Sequence, residues 1–229
     1  MMQTIPLSNL LYMLLPLLVV GYVYYLWTDN KKEILLATIR MSMQLIAIGY
    51  VLTSLFASNS PYLLAFLVCV MIGVASFIVR RNIEDKTLKM YGIILGSILV
   101  GGSINLLLVL FFVLDLDTLL EPRFVIPLAG MIYANAMNAI SLCAERFEKE
   151  IAVHGYTKAR AIAFKASMIP QINQFLAVGF VSLPGMMTGQ ILSGIDPLVA
   201  VRYQIVVMAM ILSSGAMSNM LYLTALKKR

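Results

Sequence analysis

Apolar residues run along this 229-residue chain in long blocks separated by short polar gaps. Seven blocks stand out: Ile5 to Trp27, Ile34 to Phe56, Tyr62 to Val79, Tyr91 to Leu114, Phe124 to Ala144, Ile169 to Leu192, and Leu198 to Leu226. At 1.5 Å of helix rise per residue, each can cross the ~30 Å hydrocarbon core of a bilayer. The pattern predicts an all-α, polytopic integral membrane protein of about seven transmembrane helices, forming one transmembrane domain over residues 1–229. The first block lacks a basic leader and a small-residue cleavage site, so it is expected to be a retained helix.

The sixth block interrupts itself. Its stretch "LPGMMTGQILSG", Leu183 to Gly194, carries helix breakers at Pro184 and Gly185, and polar groups at Thr188 and Gln190. Backbone groups freed inside a membrane must be satisfied by protein or water, because lipid offers no partner. Broken helices at this depth line transporter cavities, although an ordinary kink is the competing reading. The expectation is that this stretch forms the outer mouth of a path.

Composition supports a lipid environment: 61% of residues are hydrophobic and 12% charged, against about a quarter charged in soluble domains. Fourteen of the 17 Lys and Arg fall in alternate gaps: Lys31–Lys32, Arg80 to Lys89, Arg146 to Lys165, and the terminal Lys227 to Arg229. The opposite gaps, "ASNSP" and "DLDTLLEPR", contain only Arg123. By the positive-inside rule, the seven spans place the N-terminus outside and the C-terminus in the cytoplasm. The net charge of +6 therefore reads as topology, and no nucleic-acid partner is expected. Arg40 and Arg202 lie near span ends, where a long side chain can snorkel; each is either a structural arginine or a path residue.

Polar positions inside the blocks narrow the chemistry. In the fourth block, Gly92 and Gly96, and Ser97 and Gly101, have the four-residue spacing that lets helix backbones approach. Asn105 on that helix needs a partner. In the fifth, Met131, Asn135, Asn138 and Leu142 share one helical face. Amides in hydrocarbon are costly without partners, so Asn135 and Asn138 must face another helix or a wet cavity. Of the 16 methionines, Met131, Met137, Met186 and Met187 lie near these features. Thioethers suit Cu(I), but flexible apolar filling is the alternative role. Cys69 and Cys143 have no CxxC partner and read as apolar fillers.

None of the 11 Asp and Glu, and not the single His154, lies inside a block. Proton-driven carriers usually bury such a relay, so that class is disfavoured. No tight metal cluster can be assembled, and GxSxG, HExxH and P-loop motifs do not occur. The chain is expected to have no catalytic site and no cofactor of its own. Any active transport must draw its energy from another subunit.

The longest polar segment is "AERFEKEIAVHGYTKARAIAFKASMIP". Glu145 and Lys149 have helical i, i+4 pairing, Gly155 can end that helix, and Thr157 can cap a second short one. Such an elbow, about residues 145–168, suits either a partner protein or an interfacial contact with membrane lipid. The segment is similar to the EAA loop of bacterial ABC-importer permeases, with a longer interval from Gly155 to Pro170 and "MIP" at its end.

Longer stretches carry a more specific resemblance. "GMIYANAMNAISLCAERF" resembles the signature GM-x-x-x-N-x-MN-x-x-S-L-x-x-x-R-F of the FetB-type permeases. "LPGMMTGQILSGIDPLVAVRYQI" resembles that family's second signature, and "IRMSMQLIAIGYVL", with Arg40 and Gln44, its Arg-x-x-x-Gln helix. The resemblance implies the membrane subunit of an ABC transporter in a bacterial inner membrane. It would act as a homodimer beside a FetA-like ATPase that carries ATP and Mg, and would export iron or a related metal. Plant relatives are linked to aluminium tolerance, with a nucleotide sugar as proposed cargo, so cargo does not follow from membership. The expected pathway residues are Arg40, Gln44, Met131, Asn135, Asn138, Thr188 and Gln190. Those expected to couple to the ATPase are Glu145, Arg146, Glu148, Glu150, His154, Gly155 and Lys158. An ATPase-independent carrier or channel, and a membrane scaffold or sensor, are the alternatives.

Overall fold

The computed structural model describes residues 6–28, 32–58, 60–114 and 121–227. Lys31, Lys228, Arg229 and most of the "DLDTLLEPR" gap lie outside the described residues. The chain forms two compact units, Met1–Ser58 and Asn59–Arg229. The first contains α1 (Leu7–Leu10), a 3-10 turn (Leu11–Met13), α2 (Leu14–Thr28) and α3 (Glu33–Ser58). α2 packs on α3, and the Tyr24 hydroxyl donates to Glu33 Oε2 at 2.7 Å. No residue of α2 is buried; a helix apolar all round and uncovered by protein suits lipid.

The second unit contains α4 (Pro61–Arg81), α5 (Leu88–Leu108) with a π-helical turn (Val109–Val113), α6 (Pro122–Ile151), α7 (Tyr156–Ala177), α8 (Gly185–Leu192) and α9 (Pro197–Lys227). Side-chain oxygens cap two starts: Ser60 accepts from the Leu63 N–H, and Thr87 from the Met90 N–H. α6 packs on α4, α5, α7 and α9, and α9 on α5, α6, α7 and α8. Their inner faces are small or branched: Ile132, Ala136, Ala139 and Ala144 on α6, and Val207, Ser214, Gly215 and Ser218 on α9. Small faces let helix backbones approach where no hydrophobic drive exists between them.

Of the two expected small-residue pairs, Gly92–Gly96 makes no close contact, whereas Ser97 and Gly101 are buried. A methyl group at Gly92 or Gly96 would meet nothing within 4 Å. At Gly101 it would lie 2.8 Å from the Ser218 backbone nitrogen, and at Gly102 2.6 Å from the Tyr133 ring. The close approach of α5 to α9 and α6 thus occurs one to two turns further along α5.

Among the described residues, six helices are long and apolar enough to span a membrane: Ser8–Thr28, Glu33–Phe56, Pro61–Arg81, Leu88–Val113, Pro122–Ile151 and Pro197–Lys227. The sixth expected block is not one helix. α7 begins at Tyr156, carries Lys158, Arg160 and Lys165 in its first half, runs through Pro170 and stops at Ala177. Gly155, not Thr157, caps it, and the second helix of the elbow is long rather than short. The break lies at Val178–Pro184, upstream of the expected site. Gly179 adopts φ 93°, a left-handed conformation that only glycine enters freely. Pro184 stands just before α8 as its N-cap residue, so it starts a helix rather than interrupting one.

One contact and one length orient the ends. The Tyr156 hydroxyl donates to the Leu223 carbonyl at 2.7 Å, which sets the start of α7 beside the last turns of α9. α9 has 31 residues, about 46 Å of unbroken helix. The chain from Tyr156 to Pro197 therefore travels the length of α9.

Candidate functional site: a charged end and a polar seam

One end of the second unit gathers the α4–α5 turn, the α6–α7 turn and the end of α9. The last turns of α6 are charged and lie beyond its apolar block. Glu145 pairs with Lys149 at 2.7 Å, Arg146 with Glu150 at 2.8 Å, and His154 lies 3.5 Å from Glu150. Glu148 faces the neighbouring turn instead: its carboxylate accepts the Glu84 N–H at 3.2 and 3.4 Å. Partial burial pushes the Glu148 carboxyl above the usual range. The Glu84 N–H and Lys86 oppose that rise, whereas the Glu84 and Asp85 carboxylates add to it. Arg80 donates to the Lys86 carbonyl, and Lys86 Nζ returns bonds to the Arg80 and Arg81 carbonyls at 2.6 and 2.9 Å, which ties the α4–α5 turn down.

The elbow itself is rigidly packed. Phe147 meets Tyr156 edge-on, with ring centroids 6.0 Å apart, and the Arg160 guanidinium sits 5.7 Å from the Tyr156 ring centre. Gly155 accepts the Lys158 N–H at 3.1 Å, so Lys158 opens α7. Between these elements lies a groove of about 630 Å³ lined by Asp85, Met90, Phe147, Glu148, Tyr156 and Leu226, among others. All seven expected coupling residues fall at this end.

Within the second unit, the expected pathway residues of α6 and those of α8 do not form one site. Arg40 and Gln44 are exposed on α3, in the first unit. On α6, Asn135 donates to the Met131 carbonyl one turn back at 2.9 Å, and Asn138 is exposed. The inward face of α6 is the neighbouring one, with Ile132, Ala136, Ala139 and Ile140. Thr188 bonds the Pro184 carbonyl at 3.1 Å in α8. Gln190 is half-buried, and its Oε1 is enclosed without a hydrogen-bond partner.

Buried polar groups concentrate instead along α9. Asn105 of α5 donates to the Gly101 carbonyl of its own helix at 2.8 Å and finds its cross-helix partners on α9: it donates to Met217 Sδ at 3.3 Å and accepts from Ser213. Asn219 Nδ2 donates to Ser167 Oγ on α7 at 2.9 Å. Gln171, one turn beyond Ser167, lies over Gly215, one turn before Asn219. Gln171 Oε1, Gln204 Oε1, Ser218 Oγ and Asn219 Oδ1 are buried without a hydrogen-bond partner. Near Gln204 the α7–α8 break opens a cavity of about 500 Å³, also lined by Val178, Gly179, Pro184 and Met187. The sequence signal for this seam was available: amides and hydroxyls recur through α9, interleaved with small residues.

Among the described residues, no three His, Cys, Asp or Glu side chains are grouped to hold a metal ion. The seam offers neutral oxygens, and the charged end offers ion pairs and a groove.

The chain is similar to several known membrane proteins. A protein of Synechocystis sp. described as a UPF0014 membrane protein is 35% identical over 82% of this chain and 78% of its own length. The Escherichia coli protein named "Probable iron export permease protein FetB" is 34% identical over 85% of this chain and 80% of its own. The Arabidopsis thaliana protein named ALUMINUM SENSITIVE 3 is 30% identical over 82% and 74%. No solved structure matches the chain. The family described as "Uncharacterised protein family (UPF0014)" matches residues 7–229. From its first helix to its last, this is a multi-pass α-helical membrane protein belonging to the UPF0014 family, which carries the FetB-type resemblance of its sequence.

Proposed function

We propose that the chain is the membrane-spanning permease of an ABC transporter, exporting iron or a related metal with energy from a separate FetA-like ATPase. The observation that carries this is the groove at the charged end. It is built from both inter-helix turns and the end of α9, so a body docked there would bear on four of the long helices of the second unit at once. A nucleotide-driven movement of the partner can in this way change how α7 and α9 pack, which is what alternating access requires. ATP and Mg belong to the partner. The chain supplies the path and the handle, and two copies act together in the inner membrane of a bacterium.

In this reading α7, the break and α8 form a seventh crossing, with the N-terminus outside and the C-terminus in the cytoplasm. Support comes from the passage of the chain along the length of α9 between Tyr156 and Pro197, and from the cations gathered at the α7 start. The half-buried Asn135, the exposed Asn138 and the exposed Arg40 and Gln44 would then meet the second copy.

Co-expression with a FetA-type ATPase tests the proposal. A stable complex is expected, with ATPase activity that rises when the permease is present. Phe147→Ala and Tyr156→Ala should each reduce that stimulation about tenfold, as truncating a buried aromatic anchor does at interfaces. Failure to form a complex would sink the ABC reading in favour of a carrier or scaffold.

A further inference from the structure

The α7–α9 seam holds polar oxygens that the fold does not use. Ser167 and Gln171 on α7 are 1% and 6% exposed, and Ser218 and Asn219 on α9 are fully buried. The Asn219 amide nitrogen is committed to Ser167. Its oxygen, the Gln171 oxygen and the Ser218 hydroxyl have no partner within the protein. Native structures pair the great majority of buried polar atoms, because an unpaired one keeps its full cost of leaving water. Gln171 and Asn219 lie where α7 meets α9, and Ser218 beside them on the α5 side of α9; three such atoms along about one turn of α9 are too many to be packing filler.

The backbone keeps room for them. Any side chain at Gly215 would overlap the Gln171 amide, so the glycine holds that amide against α9. One turn further, Ser218 lies against Gly101 of α5. Toward the break, Gln204 adds another unpaired, buried oxygen beside the 500 Å³ cavity. The unpaired atoms are all oxygens able to accept, and the seam residues named here carry no formal charge. The amide oxygens of Gln171, Gln204 and Asn219 can only accept, which favours a cation over an anion beside them. Carbonyl and hydroxyl oxygens suit hard and borderline divalent cations rather than Cu(I). Without a carboxylate the hold is weak, which fits a passing ion rather than a resident one.

We propose that Gln171, Ser218 and Asn219 form a transit site for a partly hydrated divalent cation on the α7–α9 seam. Gln204 would be the next oxygen toward the break cavity. The proposal rests on the transport reading and names the seam, not the asparagine face of α6, as the cargo path.

The test is Mn²⁺ binding to the purified full-length chain without ATPase, read as loss of the free-ion electron paramagnetic resonance signal. Wild type should bind saturably. Gln171→Glu adds a charged oxygen and should bind at least tenfold more tightly. Gln171→Met and Asn219→Leu should lose binding, while Gln174→Met, on the exposed side of α7, should bind as wild type does. Gln171→Glu keeps the test decisive if the apolar variants fail to fold. Equal affinity in wild type, Gln171→Glu and Gln171→Met, or no saturable binding by any of them, would overturn the proposal and leave the seam to water. ATPase stimulation measured alongside separates the two readings. Stimulation without binding removes the site and leaves the permease, whereas binding without a complex leaves the site and removes the ABC reading.

Discussion

Glu148 shows how one side chain can report on the charged end. Burial raises its carboxyl above the ordinary range despite the Glu84 N–H it accepts. The sign follows from linkage: a carboxyl raised in the folded state favours folding when protonated. That contribution is complete below the unfolded carboxylate range and is lost as pH rises through the higher folded value. The melting temperature of wild type should therefore fall relative to Glu148→Gln as pH rises across and above the carboxylate range, in a detergent whose charge does not change. A constant difference would mean that Glu148 is solvated like a free glutamate. At this scale the sequence was legible where chemistry is local: the i, i+4 pairs of Glu145 to Glu150 follow from spacing alone. It was less legible for Asn135 and Asn138, because an amide can bond its own helix one turn back, and their shared face can then point outward. Gln171 and Asn219 gave no comparable motif, and only the meeting of α7 with α9 makes them a set.

The elements were read well where apolar length decides. Six predicted blocks return as helices whose ends differ from expectation by a few residues, except that α6 continues through its charged end to Ile151. The reading failed where a helix is not uniformly apolar. α7 begins in a cationic segment and ends inside the apolar block, so hydropathy alone assigned its two halves to different elements. Small-residue spacing was right for Ser97–Gly101 and not for Gly92–Gly96, since the four-residue rule finds a smooth face without saying which stretch of it is used. α5 provides the test. Gly101→Ala places a methyl against the fixed Ser218 backbone and should destabilise the protein by about 1–3 kcal/mol, the usual cost of overpacking. Gly92→Ala and Gly96→Ala meet open space, and should leave stability unchanged or raise it by up to about 1 kcal/mol through helix propensity. Thermal unfolding of the three variants in one detergent separates these outcomes.

For the whole molecule, fold class and membrane residence were legible because composition leaves no other solvent. The number of crossings was not, because it depends on how the chain passes between Tyr156 and Pro197. If that passage is a crossing, then His154→Cys and Ile195→Cys, in a background lacking Cys69 and Cys143, should react with an impermeant thiol reagent from opposite faces of sealed vesicles. Labelling of both from one face would remove the seventh crossing and with it the cytoplasmic C-terminus.

The polar character of α7 bears on how the protein is made. A segment with three cations in its first half and two buried amide or hydroxyl groups on one face is a poor candidate for leaving the translocon alone, since charged residues raise the cost of insertion by about 2.5–3.5 kcal/mol each near a helix centre. Its polar face is covered by α6, where Cys143 meets Ser167, and by α9, where Asn219 and Gly215 meet Ser167 and Gln171. Full burial of that face therefore awaits the synthesis of α9, which follows α7 in the chain. A ribosome stalled before Pro197 would hold α6 in the bilayer and leave α7 waiting at its surface.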